Sequence, residues 1–391
     1  MGASPNLSER RIFDYTLVKL AMRCNLDCTY CYWFRDRTVY ERPPLLTEEA
    51  EMAYLAALER HVRRYDVRRF FILFHGGEPL LFGKRRFDSL CARLRELERR
   101  TEISLRLAVT TNGVLLDDDW VRLLRDHRVG VTLSIDGPKR VHDDARRDLR
   151  GRGTLDRTLV ALERLRFGGM EPGVLAVCHP ELDPEPLCEF FVNELQVRAF
   201  DFLVPDANHE NAPPSIAAFY TRLFDLWYDR YADSGVRIRF LESLVTGLIG
   251  GESHSESIGY GPTSTVTLLT DGSLEPLDVL RTAGDGFTRT AFSVLRNELQ
   301  DVDRDPLWQE VLHASLELSA TCQACSYKLA CGGGHIASRF SAERRYDNPS
   351  VYCADFKRIL SHTWSRIQPD LYVETAAGPI PLRHAMSGES S

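Results

Sequence analysis

Short apolar runs, rich in β-branched and aromatic residues, alternate with longer amphipathic stretches over the first two-thirds of the chain. The apolar runs predict six strands, at residues 14–20, 69–74, 105–110, 129–135, 173–179 and 199–204. The stretches between them repeat apolar residues at helical spacing and predict helices at residues 47–65, 85–99, 118–125, 154–166 and 184–195. Strand–helix units of this length are typical of an α/β fold with parallel strands. Six units indicate a partial (β/α)6 barrel, since a complete barrel has eight.

A motif with chemical potential follows each predicted strand directly. In chain order the motifs are Cys24-x-x-x-Cys28-x-x-Cys31, His75-Gly76-Gly77-Glu78-Pro79, Thr111-Asn112-Gly113, Ser134-Ile135-Asp136-Gly137-Pro138, Cys178-His179-Pro180 and Val204-Pro205-Asp206. In barrels of parallel strands the active site lies at the carboxyl ends of the strands. We therefore expect these motifs to meet in one site.

The rest of the chain predicts a helical region and a small separate domain. Residues 213–248 show helical spacing, and a Gly/Ser-rich linker follows at 250–264. Asp271-Gly272 between two apolar segments, 265–269 and 274–279, predicts a hairpin. The resulting division is an N-terminal segment (1–13), the barrel (14–212), a helical linker region (213–264), a cysteine-rich domain (265–360) and a C-terminal tail (361–391).

The composition excludes several classes of protein. The chain has 391 residues, of which 43% are hydrophobic, so it can bury a sizeable core. It has 49 basic and 56 acidic residues, a net charge of −7, and so lacks a chain-wide basic field for nucleic acid. No apolar run approaches the roughly 20 residues of a membrane span, and the N-terminus has no apolar signal segment. We expect a cytoplasmic protein that binds neither nucleic acid nor a membrane.

Seven of the ten cysteines form two tight groups. The groups are Cys24, Cys28 and Cys31 near the N-terminus, and Cys322, Cys325, Cys331 and Cys353 near the C-terminus. A disulfide framework is typical of short secreted chains, and neither condition applies here. Closely spaced thiolates repel one another unless a cation or an iron–sulfur core takes up their charge, so both groups indicate metal.

The first cysteine group can hold a 4Fe–4S cluster and leave one iron open. A zinc site would need a fourth ligand, and none follows within the usual span. Cys24-x-x-x-Cys28-x-x-Cys31, with Tyr30 before the third cysteine and on the loop after the first strand, resembles the radical S-adenosylmethionine (SAM) superfamily. The resemblance implies that the open iron chelates SAM. One electron then cleaves SAM to methionine and a 5′-deoxyadenosyl radical, which abstracts hydrogen from the substrate.

The same resemblance implies a set of SAM contacts. They are Gly76, Gly77 and Glu78 for the methionine amino group, Ser134 and Asp136 for the ribose, Arg146 for the carboxylate, and Tyr30 and Asp206 for the adenine, with Asn112 in the same set. A planar guanidinium suits bidentate binding of a carboxylate. Each motif alone is an ordinary turn or surface pair, and their order after successive strands supports the assignment.

The second group, Cys322-x2-Cys325-x5-Cys331 and then Cys353, leaves no open position and suits a closed 4Fe–4S or zinc site. It resembles the SPASM extension of peptide-modifying radical SAM enzymes. That family has seven cysteines, whereas here Leu277 and a histidine replace two of them and a third is missing from the linker. Every lost residue belongs to the first auxiliary cluster. The resemblance therefore implies two 4Fe–4S clusters in all, one that binds SAM and one auxiliary.

Asp278 is the predicted catalytic residue. In the sulfatase-maturase relatives an aspartate directly follows the lost cysteine and acts as the base, and Asp278 occupies that place. A solvated turn carboxylate is the plainer interpretation of the same residue. His335, which stands at another lost cysteine, is expected mainly to fill the vacated space.

The closest resemblance is to the FxsB-like, cyclophane-forming branch, because of Gly332-Gly333-Gly334-His335, residues 346–353 and the missing first auxiliary cluster. It implies a radical SAM oxidoreductase that joins an aromatic side chain to a β-carbon in a ribosomally made precursor peptide. Asp278 would take the ring proton and the auxiliary cluster the leftover electron. The expected partners are that peptide and an electron donor such as flavodoxin or ferredoxin.

Other functions remain open on the same scaffold. A sulfatase-type maturase would oxidise Cys or Ser to formylglycine, and it shares the aspartate but normally has both auxiliary clusters. Thioether formation and epimerisation are further peptide modifications. From a different class, the chain could be a non-catalytic scaffold with zinc at its C-terminal site.

Overall fold

A computed structural model describes residues 12–253, 255–263, 265–375 and 378–381. Most of the predicted N-terminal segment (1–13) and the end of the predicted tail (361–391) lie outside these residues. The strands are β1 (Tyr15–Ala21), β2 (Leu26–Cys28), β3 (Arg69–Gly76), β4 (Ser104–Thr111), β5 (Val129–Ser134), β6 (Arg146–Asp148), β7 (Gly173–Val177), β8 (Ala199–Leu203), β9 (Arg237–Ile238), β10 (Val266–Leu268), β11 (Leu274–Glu275), β12 (Tyr372–Thr375) and β13 (Gly378–Pro381).

Nine of these strands form one sheet in the order β11-β10-β1-β3-β4-β5-β7-β8-β9. The six predicted strands are neighbours within it and run parallel, so the predicted α/β partial barrel is confirmed. Their ends lie within two residues of the predicted ends. The carboxyl ends of these strands therefore share one rim, where the sequence motifs begin.

Helices flank the sheet and continue through the C-terminal extension. They are α1 (Glu48–Tyr65), α2 (Lys84–Thr101), α3 (Asp118–Asp126), α4 (Lys139–Ala145), α5 (Leu155–Phe167), α6 (Pro184–Glu189), α7 (Ala217–Leu226), α8 (Arg239–Leu248), α9 (Pro306–Leu316), α10 (Ala320–Gln323), α11 (Lys328–Cys331) and α12 (Cys353–Ile367). Helix α12 runs through the boundary predicted between residues 360 and 361. None of the helices in the described ranges is both long and apolar enough to cross a membrane.

Strand β3 shows how the two faces of the sheet differ. Phe70, Ile72 and Phe74 are buried, and Phe74 meets the ring of Phe87 on α2 at 5.2 Å. Side chains alternate along a strand, so the residues between them face the interior of the barrel. That inward row ends with the partly buried His75, which the sheet thereby directs to the rim.

The C-terminal extension joins the barrel sheet directly. Strand β10 pairs in parallel with β1, with Thr16 opposite Val266, and β11 returns antiparallel to β10. The predicted hairpin is therefore confirmed, although its second strand is shorter because a 3₁₀ turn, Asp278–Ala283, begins three residues after it. The turn brings its first residue to the rim beside β1.

A buried charge network attaches the extension to the cysteine loop. The Arg281 guanidinium donates to Asp36 Oδ2 at 2.8 Å and to Glu275 Oε2 at 2.9 Å, and it lies 4.0 Å from the centre of the Trp33 ring. All three charged side chains are at most 3% exposed. Asp36 and Trp33 follow the first cysteine group, so this network ties both halves of the chain together.

Replacement of this guanidinium should be costly. Arg281→Met leaves the buried Asp36 without a cation and the buried Glu275 with Arg42 alone, and we expect it to lower the free energy of unfolding by about 3–5 kcal/mol. Equilibrium urea unfolding without oxygen measures the loss. The matched control is Arg289→Met, which removes an exposed arginine paired with Glu41 and should cost less than about 1 kcal/mol. Equal losses in the two variants would contradict the assigned role of the network.

Candidate active site

The first cysteine group lies on the loop that leaves β1. Cys24, Cys28 and Cys31 are half-buried free thiols. The Leu26 backbone N–H donates to Cys24 Sγ at 3.4 Å. Burial, more than any single neighbouring charge, raises the pKa of Cys28 to about 11, and it raises that of Cys24 as well. Without a cation the thiolate forms are therefore disfavoured, which is the electrostatic environment that a cationic iron–sulfur core relieves.

Gly76 and Gly77 hold this loop by close backbone contact. A Cβ on Gly77 would lie 2.2 Å from the Arg23 carbonyl oxygen, and one on Gly76 would lie 2.2 Å from that of Ala21. The Gly77 N–H donates to the Ala21 carbonyl at 2.8 Å. The motif predicts contact with SAM at this pair, and in the structure the backbone that comes close to both glycines is the base of the cysteine loop.

Glu78 joins the ends of β3 and β4. Its carboxylate, 1% exposed, accepts hydrogen bonds from the Leu80 N–H, the Thr111 hydroxyl and the Asn112 N–H at 2.6–3.0 Å. Burial raises its pKa despite these donors. The Asn112 side chain in turn donates to Asn25 at 2.8 Å, beside Cys24. The two predicted SAM contacts are thus brought together next to the first cysteine.

The predicted ribose and carboxylate contacts also meet. Asp136 is fully buried, and its Oδ2 accepts hydrogen bonds from the Tyr30 hydroxyl at 2.5 Å and from Arg146 Nε at 3.0 Å. Burial opposes the ionised form, yet the charge of Arg146 and the two hydrogen bonds hold the pKa of Asp136 below its usual range. Ser134 ends the strand that leads into this turn. The sequence analysis directed Arg146 at SAM, whereas its guanidinium here binds Asp136.

A short strand pair that sequence reasoning missed explains this meeting. Strand β6 pairs antiparallel with β2, and Arg146 lies directly opposite Cys28. Each strand has only three residues, too few for a periodic signal. The pairing brings the arginine to the cysteine loop.

His142 links Asp136 to Arg146 through a chain of hydrogen bonds. Its Nδ1 accepts the Asp136 N–H at 3.3 Å, so its Nε2 carries the proton and donates to Thr154 Oγ1 at 3.0 Å. The Thr154 hydroxyl then donates to the Arg146 carbonyl at 3.0 Å. Burial first, and the charge of Arg146 second, lower the pKa of His142 to about 4. The neutral imidazole therefore supports both Asp136 and Arg146.

Asp278 is a buried carboxylate and not a solvated turn residue. It is 4% exposed and forms an ion pair with Lys19 of β1, which is fully buried. The Tyr32 hydroxyl donates to the same oxygen, Oδ2, at 2.6 Å. Burial alone would favour the acid, but the charges and hydrogen bonds of the neighbouring groups, with the charge of Lys19 first, together outweigh it and hold the pKa of Asp278 well below its usual range. Asp278 is therefore an ionised acceptor beside the cysteine loop.

Lys19 also fixes the tautomer of His75. Its Nζ lies 2.9 Å from His75 Nδ1 and 4.1 Å from the centre of the Trp33 ring. An ammonium group only donates, so Nδ1 accepts and Nε2 carries the imidazole proton. Burial, and then the charge of Lys19, lower the pKa of His75 to about 3, so the ring is neutral. The contact between Lys19 and His75 was not predicted from the sequence, although a lysine inside an apolar strand indicates a buried charge that needs a partner.

Two further titratable groups face Asp278. Burial and the charge of Asp278 raise the pKa of Asp206 to about 7. Asp206 was predicted at the adenine, and its strongest charged neighbours here are Asp278 and Arg35. Burial lowers the pKa of His335 to about 4, although the charge of Asp278 opposes this shift. The His335 ring is therefore neutral. The predicted base therefore lies among several ionisable groups.

The second cysteine group lines a cavity. Cys322, Cys325, Cys331 and Cys353 surround it together with Gly333, Lys328 and Lys357. Four free thiols around one cavity are a ligand set that fits a 4Fe–4S core.

The place of the lost auxiliary cluster is an apolar core. Leu277, which stands where the family has a cysteine, is 4% exposed and belongs to a small hydrophobic cluster with Val279, Leu280, Ile336 and Phe340. An apolar side chain offers no ligand, and its packing removes the space. This core agrees with one auxiliary cluster instead of two.

Comparison with known proteins places this architecture. The chain is 26% identical over 369 residues to the cysteine-type anaerobic sulfatase-maturating enzyme of Clostridium perfringens strain 13, over 88% of this chain and 94% of that protein. It is 26% identical over 375 residues to the serine-type enzyme of Klebsiella aerogenes, over 91% of this chain and 86% of that protein. The solved structure of native anSMEcpe with bound AdoMet and Cp18Cys peptide matches its fold with a TM-score of 0.80 at 22% identity, over 90% of this chain and 97% of that one.

The expected cyclophane crosslink is wrong. Relatives that match nearly the whole chain are sulfatase-maturating enzymes, which corresponds to the alternative function and not to the main expectation. The cues for the FxsB-like branch come from the packing of the extension. A Cβ on Gly334 would lie 2.7 Å from Phe356, and the Tyr346 and Asn348 carbonyls bind Arg339. These residues support the second cysteine group and carry no information about the substrate.

The family of the N-terminal part follows from its own match. Residues 18–191 match the Radical SAM superfamily, and they contain the first cysteine group, the end of β1 and strands β2 to β7. The cofactors of this family, a 4Fe–4S cluster and SAM, are those that the loop of half-buried cysteines and the polar rim accommodate. The chain therefore carries a radical SAM enzyme domain, with a C-terminal extension that shares its sheet.

Proposed function

We propose that this chain oxidises a Cys or Ser side chain in a peptide substrate to formylglycine, the reaction class of its sulfatase-maturating relatives. Two kinds of support agree. The similarity covers 88–91% of the chain, and the fold matches a relative with a bound peptide. In addition, the rim carries an ionised, buried carboxylate, Asp278, which such an oxidation requires. The second observation carries the proposal.

The cofactors have defined places in this proposal. Cys24, Cys28 and Cys31 hold the SAM-binding cluster, and Cys322, Cys325, Cys331 and Cys353 hold the auxiliary cluster. When bound, SAM and its cluster supply the 5′-deoxyadenosyl radical that removes a hydrogen atom from the substrate β-carbon, and the auxiliary cluster takes up the electron that is left. The SAM contacts remain those predicted around Glu78 and Asp136, and an external donor of the flavodoxin or ferredoxin class supplies the starting electron.

Asp278 takes the proton of the substrate thiol or hydroxyl. Lys19 and Tyr32 both donate to Oδ2, and Oδ1 accepts no hydrogen bond from any described residue. The hydrogen bonds to Oδ2 thus fix the orientation of the carboxylate and leave Oδ1 free to accept the substrate proton. Loss of the β-hydrogen atom, the heteroatom proton and one electron yields an aldehyde from Ser. From Cys it yields a thioaldehyde, which water converts to the aldehyde with release of sulfide.

His75 orients the substrate in this proposal. Its Nε2–H lies on the ring edge away from Lys19, and the ring is partly exposed at the rim. A neutral donor of fixed tautomer can bind a carbonyl or the substrate heteroatom without taking the proton meant for Asp278. Lys19 therefore serves two neighbours at once, because it keeps Asp278 ionised and His75 in one tautomer.

The reaction is tested on synthetic peptides. Reconstituted protein, SAM and a reductant are incubated without oxygen with a sulfatase-derived peptide that has Cys or Ser at the target position. Conversion appears in the intact mass as loss of two hydrogens from Ser, or as loss of two hydrogens with exchange of sulfur for oxygen from Cys, and a hydrazine probe labels the aldehyde. Formation of 5′-deoxyadenosine without any aldehyde on either peptide would exclude this function.

Asp278→Asn should separate radical formation from product formation. The amide keeps the size of the carboxylate but cannot accept the proton, so we expect aldehyde formation to fall about 10²–10⁴-fold. Mass spectrometry of peptide and 5′-deoxyadenosine from the same reactions gives both rates. Asp118→Asn, at a side chain that is 84% exposed, is the control and should match the unmodified protein. Aldehyde formation at the normal rate in Asp278→Asn would rule out this base.

His75→Asn and His75→Gln should differ. Asn retains an acceptor for Lys19 near the Nδ1 position but removes the Nε2–H, whereas Gln can present an N–H near the Nε2 position. We expect kcat/KM for the peptide to fall about tenfold in His75→Asn, the worth of one hydrogen bond, and to be largely retained in His75→Gln. Steady-state kinetics at varied peptide concentration measure this. The reverse order would show that only the contact with Lys19 matters.

Acidification should loosen the predicted SAM pocket through His142. Its pKa is about 4 in the folded chain and 6.5 ordinarily, so the unfolded chain takes the proton first as the pH falls. Stability is then lost between about pH 6.5 and pH 4, on the order of 3 kcal/mol at most. Thermal unfolding at several pH values should show a smaller acid loss in His142→Asn than in the unmodified protein. The control His313→Asn, at an exposed histidine, should leave the loss of stability in acid unchanged. An equal acid loss in His142→Asn and His313→Asn would refute the role of His142.

A further inference from the structure

Arg339 is a buried guanidinium with an unused donor. It ends the 3₁₀ turn Ile336–Arg339 and is 1% exposed. Its Nε donates to the Asn348 carbonyl at 3.1 Å and its Nη2 to the Tyr346 carbonyl at 3.0 Å. Its Nη1 is buried and has no hydrogen-bond partner. A charged group that is buried with a donor unsatisfied is costly, and it points to a partner that the protein atoms do not provide.

Other deeply buried cations of this chain have carboxylate partners, and Arg339 has none. Lys19 pairs with Asp278, and Arg281 pairs with two acidic side chains. Across the described part of the chain Arg339 forms no ion pair. The carboxylate whose charge reaches it, Asp347, is exposed and pairs with Arg344 at 3.1 Å. Two carbonyl oxygens are therefore its described acceptors, and they leave the positive charge uncompensated.

The free donor is directed at the second cysteine group. A Cβ on Gly333 would lie 3.5 Å from Arg339 Nη1, and Gly333 lines the cysteine cavity. The thiolate charges of Cys322 and Cys331 favour the charged form of Arg339, whereas burial lowers its pKa. The negative charge that would compensate Arg339 is thus that of the cysteine thiolates, which lie on the other side of Gly333.

We propose that Arg339 is the electrostatic partner of the auxiliary centre held by Cys322, Cys325, Cys331 and Cys353, with Nη1 as a donor to a sulfur of that centre. A 4Fe–4S core with four thiolates is an anion, and its one-electron reduction adds another negative charge. A buried cation beside it stabilises the reduced state more than the oxidised state, so Arg339 raises the reduction potential. The cluster thereby becomes a better acceptor of the electron that substrate oxidation leaves.

Two lysines line the same cavity but lie in a different environment. Lys357 is exposed and Lys328 is half-buried. Solvent and salt screen such charges, whereas a charge in the dry interior acts at nearly full strength. The matched control is therefore an exposed arginine outside the cavity, Arg344, which pairs with Asp347. The proposal depends on the auxiliary cluster and not on the identity of the substrate.

The test is a redox titration of the auxiliary cluster alone. The background variant carries Ala at Cys24, Cys28 and Cys31, so that only the auxiliary cluster is bound, and its EPR signal reports the reduced fraction. At a fixed potential we expect Arg339→Gln to lower the ratio of reduced to oxidised cluster about tenfold, which corresponds to a midpoint about 59 mV more negative. Arg339→Lys keeps the charge and should shift the ratio less. Arg344→Gln, at an exposed arginine outside the cavity, should leave it within about twofold.

A purely structural role would give a different result. Asn348→Ala removes the side chain that binds the Arg339 carbonyl at 3.0 Å and so loosens the same loop, yet it retains the guanidinium. If Arg339 acts by its charge, Asn348→Ala keeps the midpoint of the background variant. An equal shift in Asn348→Ala and Arg339→Gln, or no shift in Arg339→Gln, would overturn the proposal.

A second measurement needs no change at Arg339. The background variant is labelled with ¹⁵N-arginine, reduced and examined by pulsed EPR for hyperfine coupling between nitrogen and the cluster. A coupling is expected because Nη1 is a donor to the cluster, and iron content confirms that the cluster is intact. The absence of any arginine coupling in an iron-replete sample would refute the contact, even if the substituted variants fail to fold.

Discussion

The ion pair between Lys19 and Asp278 is the contact on which the arrangement of this site depends. Lys19 stands on the first barrel strand and Asp278 in the C-terminal extension, 259 residues apart in sequence. Neither charge is stable in the interior alone, because the desolvation of an unpaired ion costs several kcal/mol. The barrel and the extension therefore have to come together in one register, which the pairing of β1 with β10 provides. His75, Tyr32 and Trp33 take their places around the same ammonium group.

The fold could largely be predicted from local pattern, whereas the site could be predicted only in part. Strand ends such as those of β3 and β4 follow from apolar alternation, which is a property of adjacent residues. The role of Lys19 does not, since its partner lies in the other half of the chain. Arg339 is similar, because in sequence it is one arginine among many and becomes distinctive only when burial removes its counter-charge. The strand pair that carries Arg146 to Cys28 was too short for any periodic signal.

Motifs predicted cofactors better than they predicted the substrate. A cysteine spacing reflects the geometry of the metal centre itself, so it indicates chemistry directly. The glycines at 332–334 and the run at 346–353 instead shape the backbone around the second cysteine group: Gly333 lines the cysteine cavity, and the Tyr346 carbonyl accepts a hydrogen bond from Arg339. They describe how the extension packs, which related enzymes with different substrates can share. The proposed reaction therefore depends on similarity over 88–91% of the chain and not on these motifs.

The parallel pairing of β1 with β10 also has a consequence for how the protein is made. Thr16 lies opposite Val266, so the partner of this early strand leaves the ribosome 250 residues later. At about 5–20 residues per second this delay is on the order of 10–50 seconds. During that time β1, which leads into the cysteine loop, has no partner on the edge that later pairs with β10, and Lys19 lacks the counter-charge of Asp278. Contacts of such long sequence separation form late in folding, so translation itself postpones completion of the reaction centre until the auxiliary-cluster region is being synthesised.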